Sequence, residues 1–290
     1  MAANKNVRPR LLAVLAHPDD ESFGAGGTLA RYAWMGAQVD LICATGGEEG
    51  AAEDRYLVGY SSLAERRAAE LQCAAQALGL QHVIRLDYRD SGMAGTPANQ
   101  HPQALVSQPL ATVVGRLVVL IRQLRPHVVI TFDPIGGYRH PDHIAIHEAT
   151  VAAFHAAGDP AYHSEALLPW QPQKLYYQTF PRQLLRTVVR LMPFFGYDPR
   201  RFGRNNDVDL AALANVDFPV HARIDTLAVM EARIAAGRCH ASQGGEGFAR
   251  SPWARLIRTV GLASVETFMR AYPEAPPGLR EDDLLAGVRW

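Results

Sequence analysis

Short apolar runs of strand length alternate, along the first half of the chain, with longer segments whose apolar residues recur at helical spacing. The strand-like runs are Leu11–Ala16, Val39–Ala44, His82–Leu86 and Val128–Phe132, with a fifth at Lys174–Thr179. The helix-like segments between them are Gly27–Met35, Leu63–Leu78, Leu110–Leu124 and His143–Ala156. This alternation is typical of an α/β fold and predicts a Rossmann-like, mainly parallel sheet flanked by helices.

Right-handed crossovers in such a sheet place the carboxyl ends of the parallel strands on one edge. Ligands of open α/β sheets bind at that edge. Functional residues are therefore expected directly after the strand-like runs.

A basic and aromatic segment follows residue 180. Pro181–Met192 is predicted to form a short helix with Arg182, Arg186 and Arg190 on one face, and the aromatic stretch Pro193–Gly203 follows it. We interpret the arginines as a solvated face over a packed stripe. An insertion that closes over the substrate edge or makes a subunit contact is the alternative. A membrane-surface helix is less favoured than either, because the segment is short and the net charge is zero.

The rest of the second half is predicted to add further helices to the same domain. They lie at Val220–Ala236 and Ala254–Ala271, and the acidic tail from Pro273 is predicted to lie on the surface. No internal repeat or low-complexity linker divides the chain. We therefore expect one domain over residues 1–290, with a core at about 10–180 and a C-terminal elaboration at 181–290.

Charge and cysteine content exclude several classes of protein. The 29 Lys and Arg residues balance 29 Asp and Glu residues, which argues against nucleic acid or another polyanion as partner. No apolar run reaches membrane-spanning length and the basic N-terminal residues lack the apolar core of a leader peptide, so we expect no membrane insertion and a cytoplasmic location. Cys43, Cys73 and Cys239 are few and widely spaced, so neither a disulfide framework nor a cysteine metal site is expected. Cys43 and Cys73 are expected to be buried as small apolar residues.

Two histidine–carboxylate clusters stand directly after strand-like runs. His17–Glu21 follows the first run, and His140–His143 follows the run at Val128–Phe132 after a short turn. A lone His-Pro-Asp triplet is more often a turn with a helix cap than a site. If the two runs are neighbouring central strands, however, both clusters lie together at one sheet edge.

Together the clusters supply the ligands of a catalytic zinc site, which uses three protein ligands and leaves a position for water. His17 and Asp20 are three positions apart at a helix start and project to the same side. His143 supplies a third ligand from the other cluster. Asp19 then points elsewhere and is free to act as a base, which suits hydrolysis of an amide by an activated water.

His140 and Asp142 complete the constellation. His140 stands three positions before His143, and Asp142 is placed to orient an imidazole through the ring nitrogen that does not face the reaction. The departing amine must be protonated, either by Asp19 returning its proton or by a cationic His140.

Several stretches of the sequence match one known family as an ordered set. They are Ala16–Glu21 with Gly24–Leu29, Ala44–Gly50, Leu63–Leu71, Tyr88–Met93 and Thr131–His143. These stretches closely resemble the LmbE/PIG-L family of metal-dependent N-deacetylases, and the resemblance covers about Leu11–Phe154. It extends weakly to His240–Gln243, for which we expect a structural role.

The resemblance implies a metal centre with defined roles. It implies zinc, or ferrous iron in some preparations, on His17, Asp20 and His143, with Asp19 as the general base. His140, with Asp142 behind it, polarises the carbonyl oxygen.

The same resemblance assigns roles to three more residues. Tyr138 matches a mobile tyrosine thought to assist at the oxyanion or in product release, and Arg67 and Asp90 match positions that hold the substrate. Arg139 departs from the family, which more usually has glycine there, and this leaves the substrate open but not the metal site.

Within the family, the resemblance is best to the branch that acts on N-acetylglucosaminyl compounds in low-molecular-weight thiol biosynthesis. It implies a hydrolase that deacetylates a small N-acetylglucosamine-containing molecule. Cleavage of a glucosaminyl thiol conjugate by an amidase of the related branch is the close alternative. A homo-oligomer is left open.

Two other classes of protein were weighed against a hydrolase. A non-catalytic metal-containing sugar-binding protein is disfavoured because it has no use for Asp19. A dinucleotide-binding protein is excluded because Leu29 stands where the third glycine of that motif is required.

Overall fold

The computed structural model of the chain describes residues 8–162, 167–179, 182–201, 209–245 and 264–290. The strands in these ranges are β1 (Arg10–Leu15), β2 (Gln38–Thr45), β3 (His82–Tyr88), β4 (Val128–Thr131), β5 (Lys174–Thr179), β6 (Ala222–Asp225) and β7 (Val265–Tyr272). The α-helices there are α1 (Asp20–Phe23), α2 (Gly26–Trp34), α3 (Leu63–Leu78), α4 (Leu110–Leu124), α5 (Gly136–Arg139), α6 (Pro141–Gly158), α7 (Arg182–Leu191), α8 (Leu210–Leu213) and α9 (Met230–Cys239).

The strands form one sheet in the order β3-β2-β1-β4-β5-β7-β6. The first five are parallel, and β7 and β6 run antiparallel to their neighbours. The predicted α/β class with a mainly parallel sheet is confirmed. Strands β1 and β4 are buried almost throughout, as expected for strands covered by helices on both faces.

Local sequence signals set the limits of the helices. Helix α3 begins at the cap residue Ser62, whose side chain accepts a hydrogen bond from the backbone N–H of Glu65. It ends at Gly79, which has a φ of 75° and closes the helix in the left-handed region. Helix α6 begins with Pro141 in its first turn, where the missing N–H is not needed.

The pairing of β1 with β4 positions the two histidine–carboxylate clusters. Leu11 pairs with Val128 and Ala13 with Ile130, in parallel. The strand order reverses between these two strands, since β2 and β3 extend to one side and β5 to the other. This is the topological switch point at which open α/β sheets bind ligands.

The C-terminal elaboration differs from its prediction. The region predicted as a helix at Val220–Ala236 contains β6 before α9, and of the helix predicted at Ala254–Ala271, residues 254–263 lie outside the described residues and the remainder is strand β7. The prediction was wrong because the free edge of β5 requires a partner, and β7 supplies it.

The tail after Pro273 lies on the surface over much of its length, as predicted, but its end is packed into the fold. Leu284 is fully buried in the main core. The carboxylate of Glu281 accepts hydrogen bonds from Lys174 and from the hydroxyl of Tyr176, both on β5. A buried ion pair of this kind ties the tail to the sheet.

The segment after residue 180 contains the predicted helix, as α7. Arg186 donates to the carbonyl of Ala214 and pairs with Asp217. Phe194 and Tyr197, which follow α7, are exposed. The last residues of the aromatic stretch predicted to end at Gly203 lie outside the described residues.

Cys73 and Cys239 form a disulfide bond that links α3 to α9. The expectation that no disulfide would form was wrong, because 166 residues separate the two cysteines and only the fold brings their Cα atoms to 5.7 Å. Cys73 is on the exposed side of its helix rather than buried, whereas Cys43 is a free, buried cysteine as expected.

None of the helices in the described ranges combines the length and apolar character needed to span a bilayer.

Candidate metal centre

The first cluster lies in the turn between β1 and α1. His17 follows the strand and is 5% exposed, and its backbone N–H donates to Oδ2 of Asp20 over 2.7 Å. This hydrogen bond folds the Asp20 side chain back toward His17. Between them, Asp19 has a φ of 130°, a conformation that L-residues rarely adopt.

The second cluster follows β4 through a shaped loop. Asp133 accepts hydrogen bonds from the N–H groups of Ile135 and Gly137. Gly136 has a φ of 64°, and a Cβ there would lie 2.7 Å from the Cβ of His143, so only glycine fits. Nδ1 of His143 donates to the carbonyl of Gly136 over 3.2 Å, which leaves Nε2 as the free ring nitrogen. The ring of Phe132 stacks on His143 with centroids 3.9 Å apart.

Donor atoms of His17, Asp20 and His143 converge. Nδ1 of His17 lies 3.1 Å from Nε2 of His143 and 3.6 Å from Oδ2 of Asp20. Oδ1 of Asp20 lies 3.4 Å from Nε2 of His143. Ligands held by one zinc at about 2.0–2.1 Å in a tetrahedron are roughly 3.3 Å apart. The three side chains therefore present their donors at the spacing that one metal ion requires.

Further potential ligands surround this point. The donor atoms of His17, His140 and His143 lie within 4.8 Å of one another, and so do those of His17, Asp90, His140 and Asp142. All five of these side chains are buried. A buried site with several carboxylates and imidazoles fits a divalent cation, because the cation offsets the negative charge that burial makes costly.

The pKa values are consistent with this donor set. Burial lowers the pKa of His143 to about 4, so the ring is neutral near pH 7 and its Nε2 lone pair is available. Burial also acts to lower the pKa of His17, but the carboxylates of Asp90, Asp142 and Asp20 outweigh it and raise that pKa well above its usual value. The site thus favours positive charge at the position between these side chains.

Asp19 lies beside the donor set on the side of α3. Its carboxylate accepts a hydrogen bond from the Arg67 guanidinium over 3.1 Å, and the side chain is 20% exposed. Burial raises the pKa of Asp19 to about 6, against the opposing effect of Arg67. Its backbone N–H donates to Oε2 of Glu21 over 2.9 Å.

Arg67, assigned to the substrate by resemblance, is occupied by the protein in this structure. Arg67 is only 3% exposed. Its guanidinium donates to the carbonyls of Gly47 and Pro18, each over 2.7 Å, as well as to Asp19. These bonds join the loops after β1 and β2. Arg67 thus holds the backbone on which Asp19 is placed.

Asp142 lies behind His17 rather than behind His140. Its Oδ2 lies 3.2 Å from Nε2 of His17, and it accepts hydrogen bonds from both the N–H and the hydroxyl of Ser91. Only the backbone N–H of Asp142 reaches His140, at Nδ1. Asp90 lies between the two histidines, with Oδ1 3.6 Å from Nε2 of His17 and 4.0 Å from Nε2 of His140.

Tyr138 and Arg139 form the turn before His140. The Tyr138 ring lies edge-on to His143 with centroids 4.9 Å apart, and burial raises the pKa of its hydroxyl, so that the group remains protonated. Arg139 has an exposed side chain and a φ of 68°. Glycine adopts this φ without strain, whereas other residues rarely do.

Sequence reasoning missed two supports of the site. Ser91, which is fully buried, fixes Asp142; it stands in the Tyr88–Met93 stretch, next to Asp90. His240 pairs with Glu21 through Nε2 and Oε1 over 2.6 Å. Burial acts to lower the pKa of His240, but Glu21 outweighs it and the pKa is raised. The His240–Gln243 resemblance was the signal for this pair.

Comparison with known proteins identifies the family. Residues 12–154 match the model of the family described as PIG-L, GlcNAc-PI de-N-acetylase. A 1D-myo-inositol 2-acetamido-2-deoxy-alpha-D-glucopyranoside deacetylase of Geodermatophilus obscurus is 41% identical over 297 residues, covering 96% of this chain and 98% of its own length. The chain belongs to the PIG-L family. A relative of the same name from Thermobifida fusca is 41% identical over 243 residues, which is 81% of this chain and 83% of that one.

The fold of the chain is also similar to solved structures. N,N'-diacetylchitobiose deacetylase from Pyrococcus horikoshii is 21% identical and superposes with a TM-score of 0.60, covering 92% of this chain and 84% of that one. At this identity the likeness supports the fold alone. The resemblance that the two clusters indicated is thereby confirmed at the level of family and fold.

Proposed function

We propose that this chain is a metal-dependent hydrolase that removes acetate from a small N-acetylglucosamine-containing molecule. The observation that supports it most directly is the convergence of Nδ1 of His17, a carboxylate of Asp20 and Nε2 of His143 within 3.1–3.6 Å. The relatives at 41% identity that act on an inositol-linked N-acetylglucosamine point to the substrate class.

His17, Asp20 and His143 would hold the metal, for which we propose zinc, with ferrous iron as the alternative. A metal bound there supplies Lewis acidity, which polarises an amide carbonyl and lowers the pKa of a water molecule. Asp142 and Ser91 hold His17 in place through its Nε2 side, so that Nδ1 is the ligating nitrogen.

Asp19 is the proposed general base. It adjoins the proposed ligand Asp20 in the chain, and its side chain remains 20% exposed while Oδ2 accepts the hydrogen bond of Arg67. In this role it accepts the proton of the attacking water and returns it to the departing amine nitrogen. Because burial raises the pKa of Asp19 to about 6, its carboxylate can take up and release a proton near neutral pH while Arg67 holds it in position.

His140 is the proposed donor to the substrate carbonyl oxygen. Its Nδ1 accepts the N–H of Asp142 over 3.2 Å, so the proton is on Nε2, which faces the site beside Asp90. An N–H fixed in this way stabilises the negative charge that develops on the oxygen as the carbon becomes tetrahedral. The hydroxyl of Tyr138, whose ring lies edge-on to His143, is a candidate second donor.

Asp90 and the loops beside it form the proposed surface for the sugar and its appendage. A cavity of about 470 Å³ is lined by Glu49, Arg89, Thr96, Pro97, Ala98, Gln100 and His101, and the backbone N–H of Glu49 donates to Oδ2 of Asp90 over 3.3 Å. Arg89 and Glu49 pair over 2.6 Å at its wall. Charged side chains of this kind offer hydrogen bonds to a hydroxyl-rich group such as inositol.

The test is an assay of the metal-loaded protein for released acetate and free amine. The substrates are N-acetylglucosaminyl-inositol, N-acetylglucosamine itself and a glucosaminyl thiol-conjugate amide. We expect cleavage of the inositol compound, and loss of activity after chelation that zinc or ferrous iron restores. The Asp19→Asn variant should keep its metal and lose about 10²–10⁴-fold in turnover.

Other outcomes would reject the proposal. Preferred cleavage of the thiol conjugate would make the chain an amidase. Binding of all three compounds without cleavage would make it a sugar-binding protein. Full activity of Asp19→Asn would remove Asp19 from the role of base.

A further inference from the structure

A buried histidine from the C-terminal elaboration contacts the turn that presents Asp19. His240 and Glu21 are both fully buried, although 219 residues separate them in the chain. Nε2 of His240 lies 2.6 Å from Oε1 of Glu21. A buried carboxylate requires such a partner, because an unpaired one is costly.

The second oxygen of Glu21 bonds the backbone of Asp19. Oε2 accepts the Asp19 N–H over 2.9 Å, at the residue whose φ is 130°. A backbone conformation of this kind costs on the order of 1–3 kcal/mol and persists only where the surroundings impose it. Glu21 is one of the groups that impose it, and Oε1 of Glu21 is held by both His240 and the hydroxyl of Ser22.

We propose that His240 is a positioning residue for catalysis, acting through Glu21 to hold the Asp19 backbone in the conformation that aims its carboxylate. This inference rests on the proposed function, in which Asp19 is the base. It gives the C-terminal elaboration an indirect part in catalysis, in place of the purely structural role expected for His240 from the sequence.

The segment that presents His240 is itself anchored on α3. Cys239 forms the disulfide with Cys73 of that helix. Ser242 donates from its N–H and its hydroxyl to the two carboxylate oxygens of Glu70, over 2.9 and 2.7 Å.

Arg67, one turn before Glu70 on α3, binds the Asp19 carboxylate from the other side. Helix α3 therefore fixes both supports of Asp19. Arg67 belongs to this helix and binds the Asp19 carboxylate directly, and His240, whose segment is anchored on the helix, acts on the Asp19 backbone through Glu21. A displacement of the segment that carries His240 would therefore move Asp19 through two hydrogen bonds, that of His240 to Glu21 and that of Glu21 to the Asp19 N–H.

A matched pair of substitutions separates the hydrogen bond from the packing of the ring. In His240→Gln the amide nitrogen reaches about as far as Nε2 and keeps a donor for Glu21. In His240→Leu the volume is similar but the donor is absent. We expect His240→Leu to lower kcat by about 10- to 100-fold with little change in KM or in bound metal, and His240→Gln to restore most of kcat.

A substitution at a buried histidine far from the site serves as a control for loss of stability without loss of positioning. His127 is 5% exposed and lies at the opposite end of the sheet, next to the start of β4. The His127→Asn variant should lower the melting temperature and leave kcat unchanged. If His240→Leu does not fold, Glu21→Asp, which withdraws the carboxylate by one methylene, replaces it and is expected to lower kcat in the same way.

The decisive measurement combines His240→Leu with Asp19→Asn. If His240 acts through Asp19, the double variant is no slower than Asp19→Asn alone, because the residue that was positioned is already gone. Multiplicative losses would overturn the inference, and so would a full kcat in His240→Leu. Full activity of Asp19→Asn alone would instead overturn the proposed function, so the two failures are distinguishable.

Discussion

Nδ1 of His17 lies 3.1 Å from Nε2 of His143, although 126 residues separate the two histidines. The contact exists because β1 and β4 are parallel neighbours and each histidine belongs to the loop after its strand. The other nitrogen of each ring is already engaged, that of His17 near Asp142 and that of His143 on the Gly136 carbonyl. The two facing nitrogens and the Asp20 carboxylate are thus left for a common partner, which we propose to be the metal.

Removal of a proposed ligand should remove the metal. His143→Ala is expected to lose bound zinc or iron when the purified protein is measured by elemental analysis, because two donors with a water shell hold a divalent ion weakly. The matched control is His147→Asn, one turn further along α6, where Nδ1 of His147 bonds the Phe132 carbonyl over 2.8 Å and faces away from the donor set. Equal metal content in both variants would contradict the proposed ligand set.

Ser91 should affect metal affinity without touching the metal. Its N–H and hydroxyl both donate to the Asp142 carboxylate, which in turn contacts His17. We expect Ser91→Ala to weaken metal binding by about 10-fold or more, as partners of ligating residues commonly do, in a competition titration against a chelating indicator. Ser107→Ala, which removes an exposed hydroxyl bonded to the Asn99 carbonyl, should have wild-type affinity. An unchanged affinity in Ser91→Ala would show that Asp142 is held well enough without it.

The sequence was sufficient to predict the sheet and the meeting of the two clusters, because strand and helix periodicity and the parallel-sheet rule are local or topological. It was not sufficient for partners that depend on tertiary contact. The place of Asp142 behind His17, the pairing of His240 with Glu21 and the Cys73–Cys239 bond all join residues far apart in the chain. Of the helix predicted over Ala254–Ala271, the part within the described residues was wrong for the same reason, since pairing with the edge of β5 makes residues 265–271 part of strand β7.

The disulfide makes a prediction about thiols and stability. Disulfides are uncommon in the cytoplasm. The cytoplasmic location expected from the sequence therefore predicts three thiols per chain, whereas the disulfide in the structure predicts one. From the bond we expect one alkylated thiol per chain, that of Cys43, when cells are lysed directly into denaturant with an alkylating reagent and no reductant and the attached groups are counted by mass. Reduction, or Cys239→Ser, should lower the free energy of unfolding by about 2–4 kcal/mol, measured by urea titration. Three thiols before reduction would show that the bond is absent under those conditions.

Stability should fall in mildly acidic solution because of His127. Burial, aided by Arg10, lowers the pKa of His127 in the folded protein, and its Nδ1 accepts the Arg10 N–H over 2.9 Å, which requires an unprotonated nitrogen. Above the unfolded pKa of about 6.5 the ring is neutral in both states, and this contribution is fully present. Below it the unfolded chain binds a proton that the folded protein does not, so stability is lost as the pH falls.

The His127→Asn variant isolates this effect. Its side-chain oxygen keeps an acceptor for the Arg10 N–H but does not titrate, while the other buried histidines are common to both proteins and cancel in the difference. The free energy of unfolding of the wild type, relative to that of the variant, should decrease by up to about 1.4 kcal/mol per pH unit below about pH 6.5. Urea titrations at several pH values between 7.5 and 5 measure it. Parallel curves for the two proteins would show that His127 has the same pKa in both states.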